Sequence, residues 1–159
     1  MSIYSGKDKM MEPPASHEDR RDWMGLLARA RPDRLAALMP HPLPDHVLIR
    51  APEIGTVMLR GRISAKGAAF NLGEMTVTRC ALRLGLGTVG HSYVQGRDRT
   101  HALNAALVDA LMQTDAASEM RRICLDPLAA EEAAHRADRA GKVAASKVEF
   151  FTMVRGEDK

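Results

Sequence analysis

Residues 76–98 read TVTRCALRLGLGTVGHSYVQGRD. In its first part Cys80, Leu82 and Leu84 recur on one side while Arg79 and Arg83 recur on the other, the period of two of a half-buried antiparallel strand. Next, Gly85-Leu86-Gly87-Thr88-Val89-Gly90 formally matches GxGxxG. A dinucleotide site needs a strand before that motif and a helix directly after it. Here His91-Ser92-Tyr93-Val94 alternates like another strand, so the glycines are predicted to turn a hairpin. After Gln95-Gly96-Arg97-Asp98-Arg99 the period becomes helical. Leu103, Leu107, Ala110, Leu111 and Thr114 follow i, i+4, i+7, i+8, with Asp98 placed to cap the helix.

The same two periods organise the rest of the chain. In 56–63, Val57, Leu59 and Ile63 oppose Arg60 and Arg62. Strand-like segments at 46–51, 56–63, 70–84 and 88–94, with turn glycines between them, predict an antiparallel meander of about four strands. The fold class is therefore α+β, with helices packed on one face of the sheet and the arginines lining the other. Upstream, Ser16 and Asp19 resemble a capping box, followed by Trp23, Leu26, Leu27 and Ala30 at helical spacing. Pro32 starts a second short helix with Leu35, Leu38 and Met39. Pro40–Pro44 cannot be helical and serves as a connector. Residues 1–15 read as a flexible tail and 16–159 as a single domain. Downstream, Asp126-Pro127 signals a last helix, Ala-rich, with Glu132 and Arg136 at i, i+4 and weakened by Gly141.

The chain has 159 residues, 45% of them hydrophobic, which suits a folded globular protein. With one Trp, two Tyr and three Phe against ten Met, its core must be largely aliphatic. Met1–Glu12 contains no apolar core of a secretory signal, and no run approaches a membrane span. Cys80 and Cys124 lie 44 positions apart with no CxxC spacing; the spacing permits a disulfide, but a reduced cytoplasmic protein is the simpler expectation. Between His46 and His101 eight Arg or Lys face three acids, a net +5 that leaves −2 for the remainder. A basic middle suits an anionic ligand or an acidic partner.

Candidate catalytic residues do not emerge. The six histidines form no HxxxH or HExxH pair and no metal-ligand spacing with the cysteines, and Ser92 and Ser146 sit in no nucleophile-elbow context. Catalytic, metal and cofactor sites are therefore expected to be absent. Two segments stand out instead. At Gly96, Arg97 and Arg99 a strand hands over to a helix N-terminus, where backbone amides and arginine forks favour anions. Val148, Phe150, Phe151, Met153 and Val154 make the end of the chain apolar, where ends are usually polar. They either complete the sheet or dock on a partner as an extended arm.

Tyr93–Asp98 running into His101-Ala102 and Leu107–Gln113 resembles the PhnG family, and so does Phe150–Gly156. Thr78-Arg79, Gly87-Thr88 and Trp23-Met24 are similar too, so the resemblance covers roughly residues 20–156. It implies the G subunit of the carbon–phosphorus lyase core complex, assembled with H, I and J subunits. That complex transfers an alkylphosphonate to the ribose of ATP and releases adenine, giving ribose 1-alkylphosphonate 5-triphosphate. The resemblance assigns the nucleosidase step to the I subunit, and carbon–phosphorus cleavage, with an iron–sulfur cluster and S-adenosylmethionine, to J. The G subunit would be required without being catalytic alone, touching the I subunit most directly. The rival reading is a stand-alone nucleotide- or RNA-binding module using the basic sheet face. It lacks a DNA-reading helix motif and interleaved aromatics, so no nucleic-acid partner is expected, nor a membrane.

Overall fold

A computed structural model describes residues 16–63, 67–85 and 87–146. Two helices open the described chain, α1 (His17–Arg29) and α2 (Pro32–Leu38). Ser16 and Asp19 close the expected capping box on α1, and Pro32 occupies the first turn of α2. Three strands follow, β1 (His46–Arg62), β2 (Ala69–Leu84) and β3 (Val89–Gln95), in an antiparallel sheet of order β1-β2-β3. Then come α3 (Arg99–Leu111), the single turn α4 (Ala117–Met120), a π-helical turn (Arg121–Leu125) and α5 (Asp126–Ala145). No helix of the described residues is long and apolar enough to cross a membrane.

The sheet has three strands rather than about four. The expected strands at 46–51 and 56–63 are one strand, β1, with register shifts between Leu48 and Arg50 and between Arg50 and Glu53. Gly55 does not turn the chain, and Pro52 nearby is tolerated because β1 is an edge strand whose outer side needs no ladder partner, while bulges absorb the extra residues. The glycine turn is a hairpin as expected: Leu84 N–H donates to Thr88 C=O at 2.9 Å, and Gly87 adopts φ +92°.

Helices cover one face of the sheet. Thr78, Cys80 and Leu82 of β2 pair with Val94, Ser92 and Gly90 of β3, and this row is buried beneath α3. α3 is short of bulky residues where it meets the strands, which lets it come close. A side-chain carbon on Gly90 would collide with the Ala106 carbonyl and stand 2.8 Å from Ala110. Only glycine fits there. Leu107, Val108 and Ala106 are fully buried between the sheet and the first two helices. Burying Leu107 alone contributes on the order of 2 kcal/mol.

The arginines do not all share the opposite face. Pairing is one-to-one from Glu53↔Arg79 through Leu59↔Gly73, so Leu59 lies on the Arg79 side. Strand alternation then turns Arg60 to the other face. The cause is the register itself: the two shifts between Leu48 and Glu53 cancel, and His46 opposite Leu84 already sets the even-numbered residues of β1, Arg60 among them, against the face of Leu82 and Leu84. Beyond Val77, the last β2 residue paired with β3, Thr56–Arg62 and Ala69–Thr76 continue as a two-stranded ribbon.

The last helix begins at Asp126 as expected, with Pro127 in its first turn, but Asp126 caps nothing, because the π-helical turn runs straight into α5. Arg136 does bond Glu132, at 2.6 Å. The expected tail 1–15 and the apolar arm at Val148–Val154 lie outside the described residues.

Candidate functional site

The β3–α3 junction is held from both sides. Gly96 turns the chain at φ +92°, a region that costs other residues about 1–2 kcal/mol. Its N–H donates to Thr76 C=O at 3.0 Å, and its C=O accepts from the Thr78 hydroxyl at 2.8 Å. Asp98 then caps α3, its carboxylate accepting from His101 N–H at 2.8 Å. The capping carboxylate occupies the place an anion would take at the helix start. What remains open is the pair of guanidiniums. Arg97 and Arg99 are exposed and form no ion pair among the described residues. Two free arginines on a pinned loop suit phosphate or carboxylate oxygens.

His101 and His91, which flank this loop, are not brought together. His101 is buried between α3 and α1, where Nε2 donates to Leu27 C=O at 2.9 Å, while Nδ1 has no partner among the described residues. Burial lowers its pKa, so the imidazole is neutral at pH 7 and serves as a strut. His91 is exposed on the far side of the sheet, in register with Ala81.

The largest polar cluster lies nearby and was not anticipated as such. Asp109, in the middle of α3, is fully buried. Its carboxylate accepts from Arg20 (Nε at 3.1 Å, Nη2 at 2.7 Å), from Trp23 Nε1 at 2.9 Å and from the backbone N–H of His91 at 2.8 Å. Gln113 completes the group by donating to the carbonyls of Asp109 and Val89. One carboxylate thereby joins α1, β3 and α3. The only signal in the sequence was an acid inside the apolar run Leu107–Leu111.

Both cysteines are buried free thiols; burial raises the pKa of Cys80 and pushes that of Cys124 up to about 11. On the uncovered sheet face Arg79 holds the Glu53 carboxyl below its usual range through a 2.8 Å bond, and Arg50 adds a 3.5 Å contact. Among the described residues no group of three His, Cys, Asp or Glu is placed to hold a metal.

Comparison with known proteins agrees with the resemblance seen in the sequence. Residues 18–156 match the family described as phosphonate metabolism protein PhnG. The chain is also 40% identical to the alpha-D-ribose 1-methylphosphonate 5-triphosphate synthase subunit PhnG of Rhizobium meliloti (strain 1021). That match spans 156 residues, 94% of this chain and all of the relative. Both the Gly96–Arg99 loop and the apolar segment from Val148 to Val154 fall inside the matched region. This chain belongs to the PhnG family of phosphonate metabolism.

Proposed function

We propose that the chain is an accessory subunit of a cytoplasmic carbon–phosphorus lyase core complex. It supports transfer of an alkylphosphonate to the ribose of ATP with release of adenine. The reading is carried by full-length similarity to a protein named as a synthase subunit. It fits a molecule whose buried thiols are held protonated and whose buried imidazole is engaged as a strut. In this reading the chain assembles with the H, I and J subunits and contacts I directly through Val148, Phe150, Phe151, Met153 and Val154. The Arg97 and Arg99 guanidiniums, free on a rigid turn at Gly96, face a phosphate-bearing ligand.

Co-expression with the H, I and J subunits tests this, by mass measurement of the purified complex and by adenine release from ATP. Phe150→Ala with Phe151→Ala should abolish co-purification with I; an intact complex from that variant refutes the anchor. Arg97→Ala should leave assembly intact and slow adenine release roughly tenfold or more, the scale of one lost charge-assisted bond. Unchanged turnover returns the loop to a structural role.

A further inference from the structure

The ribbon formed by Thr56–Arg62 and Ala69–Thr76 reaches past β3, and its two faces differ. One carries Val57, Leu59, Phe70, Leu72 and Met75. A side-chain carbon on Gly61 would lie 3.8 Å from both Leu72 Cβ and the Phe70 ring, which places these on a common side. Leu59 is 38% exposed, Phe70 41% and Leu72 65%. The other face turns out Arg60 and Arg62, neither of which has an ion-pair partner among the described residues, beside Met58, 52% exposed, and its partner Glu74. Along the ribbon the outer edge of β1 offers unpaired backbone groups. An edge this long and this apolar is what soluble proteins avoid unless something covers it.

We infer that this ribbon inserts into a cleft on another subunit of the synthase, apolar on the wall that meets Leu59 and Phe70 and carboxylate-bearing on the wall that meets Arg60 and Arg62. The inference rests on the proposed membership of a multi-subunit synthase and gives that membership a surface. Charge selects the occupant. A second copy of this chain would bring two arginines for each Glu74 to a symmetric contact, leaving like charge in excess. An acidic partner satisfies them. The ribbon is also continuous with the arginine loop, since Gly96 bonds to Thr76 at the ribbon's root. A subunit gripping the ribbon is therefore carried to the Arg97 and Arg99 guanidiniums.

Full-length wild type, Leu59→Lys with Phe70→Lys, and Arg60→Glu with Arg62→Glu are each co-expressed with the H, I and J subunits and weighed as complexes. Both double variants should keep the wild-type circular dichroism and melting temperature as free chains, because the changed side chains project beyond the core. Both should fail to assemble. Amide exchange in 56–62 and 69–76 of the wild-type chain should slow on assembly, a reading that needs no variant. Assembly of either variant at wild-type yield, or unchanged exchange in the ribbon, overturns the inference while leaving subunit membership intact. A free wild-type dimer that Leu59→Lys with Phe70→Lys converts to monomer overturns it in favour of a second copy. If wild type itself captures none of the three subunits, the functional reading falls first and takes this inference with it.

Discussion

Asp109 accepts hydrogen bonds from a guanidinium, an indole and a backbone amide that belong to two other elements. Removing the carboxylate strands all three donors in or near the core, and breaking such a buried pair costs about 3–5 kcal/mol. Asp109→Ala should lower unfolding stability by that amount in urea titration, while a loss under about 1 kcal/mol would deny the hub its role. His101 makes a pH prediction with a definite sign. Its folded pKa is lowered by burial, so below the ordinary value of 6.5 the unfolded chain takes up the proton first. Its contribution to stability is full above that pH and declines as pH falls through it. Unfolding measured at about pH 7.5 and about pH 5.5 should show wild type losing stability and His101→Gln losing less. Equal slopes would place the titration elsewhere.

At the scale of elements, α5 is the least anchored helix. Leu128 is its one buried residue, and two ion pairs, Arg34–Glu131 at 2.6 Å and Arg29–Glu132 at 2.9 Å, tie it to α2 and α1. Both are substantially exposed, so solvent screening leaves them little hold on the helix. Open space surrounds the position a side chain on Gly141 would take, so Gly141→Ala should raise helix content and stability by about 0.5–1 kcal/mol. No gain in circular dichroism would mean the helix end is frayed regardless of residue. The elements differ likewise in how legible they were. Caps and the glycine hairpin could be read because one or two residues dictate local backbone geometry: Ser16, Asp98 and Pro32 all act where expected. β1 was misread as two strands because Pro52 and Gly55 carry a local break signal that its edge position overrides. Edge position is a tertiary fact. The facing of Arg60 is hidden for the same reason, since it follows from the register that sets His46 against Leu84, and no residue announces a register. The turn at the β3–α3 junction is legible from Gly96 and the capping Asp98. The Asp109 hub is not, because its three donors lie 18 to 89 positions away in sequence.

Over the whole molecule, the basic middle of the chain is not one patch. Arg50 and Arg79 share Glu53. Arg60 and Arg62 sit on the ribbon, Arg83 on the uncovered sheet face, and Arg97 and Arg99 at the ribbon's root, all exposed. The helical layer covers the core formed by the described residues, whereas the ribbon lies entirely outside it. The exposed ribbon also bears on how the protein is made. A chain synthesised ahead of its neighbours presents a sticky, unzipped edge to every other nascent strand in the cell, with Arg60 and Arg62 as its main deterrent to aggregation. Surplus copies should then be short-lived, and their half-life in a pulse-chase should lengthen when the other subunits are supplied in equal measure. Matched dosage would be a requirement written into the shape of one hairpin.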